Sequence, residues 1–337
     1  RDVETKYFRN STAEDWMQCY KLAVQQGIPA LAWSAVERLP KDFYPPLNVK
    51  LSWALLEEKQ AEKYRQHCKA ANNLTRLYAQ HGIATVVLKG IGLSRMYPTP
   101  TQREGGDIDI YTFSADKSRM TDEEANNLAN ELMKRDGTEI DYSYIKVHSS
   151  FHYQGVRFEN HRRFLNFETF TKLADVEDWL KEYLSPQAID LQIGACKINV
   201  PSIAFDKVFV SLHAAQHYGN GLSLRHLCDW AILSNQKEFE SSCTPYNKYL
   251  LLVTKTLSQL TNRYLDTSIT VEDDDKLANE MMKEIMHPPF YAKVSSQQPI
   301  KAAWHKIRFK IHLGVSRWKG TLILLQSILH KPNRLYK

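Results

Sequence analysis

The chain has 337 residues, ordinary charged (24%) and apolar (43%) fractions and a formal charge of +6, which excludes collagen-like, disordered and disulfide-scaffold classes and leaves one large or two ordinary globular domains. No apolar run approaches the roughly 18 residues of a membrane-crossing helix, and the polar start RDVETKYFRN lacks the apolar stretch of a secretory leader. Five scattered cysteines (Cys19, Cys68, Cys196, Cys228, Cys243) without a CxxC pair point to reduced thiols in a cytoplasmic protein rather than a zinc cluster or a disulfide framework.

Residues 1–80 read as a helical region. STAEDWMQCYKLAVQQG opens on a Ser-Thr cap with acids in its first turn and stops at Gly27. PALAWSAVERLP is a short second helix and PKDFYPP a breaker; from Asn48 to Gln80, Tyr64, Cys68, Ala71, Leu74 and Tyr78 recur at the spacing of one helical face. At His81-Gly82 the period changes. IATVVL is a β-branched run of strand length, IGLSRMY a short helix opening at Gly90, PTPTQREGG a loop, and DIDIYTF alternates as a strand. TDEEANNLANELMKRDG is a capped helix, and strands around YIKVHSSFHY and GVRFENH complete a small mixed-sheet α/β core over 81–163. Helices dominate again over 164–300, interrupted by a strand or hairpin in AIDLQIGACKINVP. The fold class is α+β, a small α/β core flanked by N-terminal and C-terminal helical regions. Residues 301–337 form a basic tail with nine Lys or Arg and no acid; it carries +9 and leaves the body at −3.

The stretch DIDI carries the chemistry. Strand side chains repeat their direction every second residue, so Asp107 and Asp109 share a face about 6.5–7 Å apart while Ile108 and Ile110 enter the core. Two carboxylates that close repel, and burial worsens the repulsion. A hard divalent cation reverses it, Mg²⁺ first and Mn²⁺ in its place, with waters and phosphates completing the shell. The acidic sets DVED at 175–178 and EDDD at 272–275 sit in helical or loop text and read as solvated faces. Upstream, a buried strand ending in Lys89-Gly90 and running into a helix presents backbone N–H groups and one ammonium to phosphate oxygens. A third carboxylate can complete the metal site or take the proton of an attacking hydroxyl. By pattern it is Glu159 in VRFENH or Asp190 in AIDLQI; Glu159 is preferred because its strand is expected beside the first two acids.

LKG, then Arg103, then GDIDI, then an apolar-x-Glu-x-His strand resembles the uncharacterised bacterial nucleotidyltransferase family (NTP-transferase 5 type) of the polymerase-beta-like superfamily. VSLHAAQHYGNGLSLRHLCDWAILSN and AVQQGIPALAW extend the likeness to roughly residues 12–235. The resemblance implies that Asp107 and Asp109 ligate Mg²⁺ with Glu159 as third acid, and that Lys89, Gly90 and Arg103 lie at the nucleotide phosphates. It also implies transfer of an NMP from an NTP, ATP by default, to an unnamed acceptor with release of pyrophosphate. Asn160 departs from the family pattern, which tends to have an apolar residue there, and points to a Glu159 strand that is either a sheet edge or poorly aligned. The Lys-Gly pair also lies further from the first aspartate than the superfamily's Gly-Ser or Gly-Gly.

His213 and His217 share a helical face, but no third zinc ligand can be placed from the sequence. Arg225 and Asp229 read as an i, i+4 ion pair. One of His148, His152 and His161 is expected to help position substrate. The tail reads as a final helix packed on the body with a basic outer face, or as a surface for an anionic membrane, a nucleic acid or an acidic partner; nothing resembles a sequence-reading DNA motif. Two other functions fit the pattern: a nucleotide-sugar glycosyltransferase that uses Asp-x-Asp, and a non-catalytic nucleotide-binding module on the same fold.

Overall fold

The computed structural model describes residues 5–142, 147–165, 173–184, 187–191, 196–217, 222–236, 248–265 and 275–286; the basic tail and Cys243 lie outside them. Helix α1 (Ala13–Gln25) begins where Thr12 accepts the Asp15 N–H and Asp15 accepts the Thr12 N–H in return, a reciprocal cap. Helix α2 (Pro29–Val36) follows. The 33-residue α3 (Leu47–Ala79) is roughly 50 Å long at 1.5 Å per residue. Its first half buries Val49 and Trp53 against Trp16 and Trp33. Its second half presents Tyr64, Cys68, Ala71, Leu74 and Tyr78 to the sheet, the face read from their spacing.

After Gly82 the chain enters β1 (Ile83–Val87), a single-turn α4 (Ile91–Ser94) and β2 (Ile108–Ser114). Helix α5 (Asp122–Arg135) carries a second reciprocal cap, between Thr121 and Glu124. A two-residue strand β3 (Asp141–Tyr142), not foreseen from the sequence, precedes β4 (His148–Tyr153) and β5 (Val156–His161). β4 and β5 join through Gln154-Gly155, both at positive φ, the backbone that a tight two-residue hairpin needs. The sheet order is β1-β2-β5-β4-β3; β2 and β5 are parallel and the other pairs antiparallel. The C-terminal part comprises α6 (Ala174–Glu182), the hairpin β6 (Gln187–Leu191) and β7 (Cys196–Val200), then α7 (Ile203–His217), α8 (Leu224–Ser234), α9 (Lys248–Leu265) and α10 (Asp275–Met286). No helix among the described residues is long and apolar enough to cross a membrane.

Strand alternation divides the core. Ile108, Ile110 and Phe158 face α3 and α5, with Leu74, Tyr78, Ala125 and Met133. Val86, Leu88 and Tyr111 face the other way, onto Phe164 and onto Phe205 and Phe209 of α7. These cores run across residues 80 and 163, so the helical regions flank the sheet by packing on its two faces.

Two expectations are corrected here. Asn160 does not mark an edge: it is fully buried on an interior strand. Its Oδ1 accepts from Thr112 Oγ1 (2.9 Å) and Asn126 Nδ2 (3.1 Å), and its Nδ2 donates to Asn130 Oδ1 (3.3 Å), which also accepts from Ser149. The DVED set is not wholly solvated either. Asp175 and Asp178 are exposed, but Glu177 is buried and accepts the backbone N–H groups of Phe164 and Leu165, donors that the end of a loop would otherwise leave unmet.

Candidate active site

The site forms where β1 and β2 end beside each other. The ladder extends one residue past β1, Leu88 N–H donating to Asp109 O at 3.0 Å, so Lys89 emerges next to Asp109. Gly90 then turns the chain at φ +64° and ψ −122°, a conformation that side chains resist. A Cβ on Gly92 would lie 2.8 Å from Val87 O, so the turn is tight enough to exclude any other residue there. Gly105-Gly106 lead into β2, with Asp107 at its threshold and Asp109 one residue inside.

Asp107, Asp109 and Glu159 line one cleft of about 310 Å³ together with Lys89, Gly90 and the loop 103–106. Asp109 and Glu159 stand opposite each other on the parallel strands β2 and β5. Asp109 is almost fully buried and is held by Lys89 Nζ at 3.2 Å and His161 Nε2 at 2.9 Å. Burial opposes its charge, but the Lys89 ammonium and His161 hold the carboxyl well below the usual range. Glu159 contacts Arg157 Nη2 at 3.0 Å and His148 Nε2 at 3.6 Å. Burial, and then repulsion from Asp109 and Asp107, raises its proton affinity. Of the three histidines considered, His161 and His148 therefore sit on the acids, while His152 is exposed and pairs in register with Arg157. Asp190, the alternative third acid, lies on β6 in the separate two-stranded sheet, paired with Lys197.

Arg103 lines the cleft but is engaged within its wall. Its Nε and Nη2 each donate to Asp229 at 2.8 Å, and Tyr97 Oη donates to the same carboxylate at 2.6 Å. The expected Arg225–Asp229 helical pair is thus replaced by a long-range one. The opposite wall comes from α7 and α8 and presents Val210, His213, His217, Arg225 and His226. The Lys89 ammonium connects the walls, lying 3.2 Å from His213 Nε2 as well as from Asp109. The ring nitrogens of His213, His217 and His226 come within 4.8 Å of one another, so the third histidine that the sequence could not place stands on α8. His226 and Arg225 sit in the LR-x-L-x-D segment, which signals a helix but not what it faces.

A family model described as "uncharacterised nucleotidyltransferase" matches residues 12–244. The chain belongs to this uncharacterised nucleotidyltransferase family. No curated protein matches it. The crystal structure of an antigenic nucleotidyltransferase-like protein from Paracoccidioides brasiliensis aligns at 14% identity and a TM-score of 0.39, covering 65% of this chain and 94% of that one. The matched segment runs from α1 through α8 and so includes both walls of the cleft. One wall supplies four carboxylates, those of Glu104, Asp107, Asp109 and Glu159, and the other supplies imidazoles and a guanidinium, with Asp229 engaged by Arg103, an arrangement suited to a polyanionic substrate held beside hard oxygen donors.

Proposed function

We propose that the cleft transfers a nucleoside monophosphate from an NTP, ATP by default, to an acceptor hydroxyl. The acceptor oxygen bonds to the α-phosphorus, the bond to the β-phosphate oxygen breaks, and pyrophosphate leaves with that electron pair. The observation that supports this reading most is the in-register pairing of Asp109 with Glu159 beside Asp107 in one cleft. The donor set fits Mg²⁺ or Mn²⁺ in kind: three hard carboxylates line one cleft, and burial first, then repulsion from Asp109 and Asp107, raises the proton affinity of Glu159, a repulsion that a divalent cation would relieve. Asp107, Asp109 and Glu159 would hold the ion, which would supply neutralisation of charge on the reacting phosphates. Glu159 is also the carboxylate that takes the acceptor's hydroxyl proton. Lys89 and the Gly90 turn meet the phosphates, and Arg103 supports that wall through Asp229. The glycosyltransferase reading has less support, since the described residues ahead of β1 are helices and loops and provide no larger nucleotide-binding sheet.

The test is pyrophosphate release from each of the four NTPs by the full chain with Mg²⁺ and glycerol as acceptor. Asp109→Asn is expected to lose at least about 100-fold in rate, on the scale seen when one transition-state stabiliser is removed, and Asp190→Asn to keep the wild-type rate. Tight NTP binding without pyrophosphate release would favour the non-catalytic module instead.

A further inference from the structure

The imidazole wall has a defined polarity. Ser223 N–H donates to His226 Nδ1 at 3.1 Å, with Ser223 Oγ at 3.0 Å from the same atom. A backbone N–H can only donate, so Nδ1 is the acceptor and the neutral ring carries its proton on Nε2. That Nε2–H is buried without a partner among the described residues, and an unmet buried donor is costly. His226 itself is only 4% exposed. Arg225, the next residue, lines the same cleft; its helical neighbour Asp229 is taken by Arg103, and no carboxylate pairs with Arg225 among the described residues. The ring centroids of His217 and His226 are 4.9 Å apart, and those of His217 and His213 are 4.4 Å apart. Burial keeps His217 uncharged, its pKa pushed down to about 4, and holds His213 and His226 well below the ordinary range.

A three-histidine zinc site is the first alternative for such a cluster, and the local chemistry opposes it. Zinc needs a lone pair from each ring, but the Ser223 N–H leaves His226 a proton at Nε2. Lys89, against His213, and Arg225 also bring positive charge to the spot where a dication would sit. An oxyanion reverses each objection, because it accepts from Nε2–H and is attracted to both cations.

We propose that the α7–α8 wall is an oxyanion subsite that takes a phosphate group through His226 Nε2–H, Arg225 and His217. This deepens the transferase reading and rests on it for the substrate class. The phosphate is the pyrophosphate end of the NTP or a phosphate monoester on the acceptor. Calorimetric titration of the full chain with inorganic pyrophosphate and with glycerol phosphate, in EDTA and without any NTP, tests the subsite apart from turnover. Binding of either is expected, weakened about tenfold or more by Arg225→Gln and by His226→Leu, as the loss of one charged or buried hydrogen bond predicts. His226→Gln, which keeps a donor, should recover part of the loss, and Asp109→Asn should leave binding intact or strengthen it. Preference for pyrophosphate assigns the subsite to the leaving group, and preference for glycerol phosphate assigns it to the acceptor. Failure of both anions to bind, or binding unchanged in Arg225→Gln and His226→Leu, overturns the proposal. So does uptake of one Zn²⁺ per chain that His226→Gln abolishes. Because no NTP or divalent ion is present, anion binding by a chain that releases no pyrophosphate would defeat the transfer reaction alone.

Discussion

The Arg103–Asp229 pair is the most exposed to quantitative test. Both side chains are nearly solvent-free, at 6% and 5% exposure, and Tyr97 adds a third hydrogen bond to the same carboxylate. Breaking a buried pair by removing one partner costs about 3–5 kcal/mol, because the surviving charge stays in a poorly solvated place. Asp229→Leu should therefore destabilise the protein by about 3–5 kcal/mol, a large share of the 5–15 kcal/mol typical of a whole domain. Replacing all three polar groups by apolar ones, as Tyr97→Phe, Arg103→Met and Asp229→Leu together, removes the stranded charge and the stranded hydroxyl at once. The triple variant should be more stable than Asp229→Leu alone, by at least about 2 kcal/mol. Urea unfolding followed by tryptophan fluorescence reads the difference, since Trp230 adjoins Asp229 in the chain and is itself buried. A cost below about 1 kcal/mol for Asp229→Leu, or a triple variant no better than the single one, would refute the claim that the wall behind the cleft depends on charge compensation.

Gly90→Ala should cost about 1–3 kcal/mol of stability in the same assay, because its φ of +64° with ψ of −122° is denied to other residues; a neutral effect would mean the turn relaxes freely. Asn160→Leu removes the amide that joins β5 to Thr112 and α5 and should lower transfer activity more than nucleotide affinity, with wild-type activity counting against a positioning role. Stability should rise with pH between about 4 and 6.5, because burial holds His67, His148 and His217 down to about 4 and His213 and His226 well below their ordinary value, whereas the unfolded chain protonates them near 6.5. Asp206, raised by burial to about 7, and Glu57, Glu159 and Glu177, also raised by burial first, pull the other way. Five histidines outweigh four carboxyls, and a urea midpoint that falls as pH climbs through this window would contradict that balance.

The legible parts of the molecule were those whose signal is local. Thr12 with Asp15 and Thr121 with Glu124 announce helix starts within three residues, the Tyr64 to Tyr78 series repeats at helical spacing, and Asp107 and Asp109 interrupt an alternating strand. Each is decided by backbone geometry acting over one or two turns. What escaped the reading depends on which residues distant segments meet. Arg225 and Asp229 have the spacing of a helical pair, yet Asp229 lies against Arg103, 126 residues away, because a buried guanidinium takes precedence over one that keeps partial contact with water. Asn160 looked like an edge signal because a buried amide is affordable only when several partners converge, and those partners come from β2, α5 and β4. Glu177 looked like a surface acid for the same reason, since its backbone donors lie in the loop 163–165.

Register ties these observations together. Residues of β5 alternate between the α5 face, where Phe158 and Asn160 are buried, and the cleft face, where Glu159 stands opposite Asp109. A slip of one residue would exchange the two sets, bringing an amide or a phenyl ring into the cleft and a carboxylate into the apolar core. The polar network around Asn160 works against such a slip, because hydrogen bonds to Thr112, Asn126 and Asn130 are met in one register only, whereas an apolar residue could pack in several. A buried amide in place of a hydrophobic side chain thus gives up some transfer free energy and fixes the position of the third carboxylate. Lys89 imposes the matching constraint from the other side, since its ammonium can reach Asp109 and His213 together only while α7 stays packed against the ends of β1 and β2. Geometry at the acids and geometry at the imidazoles are therefore one property of the fold, and a change that loosens either wall should be felt at both.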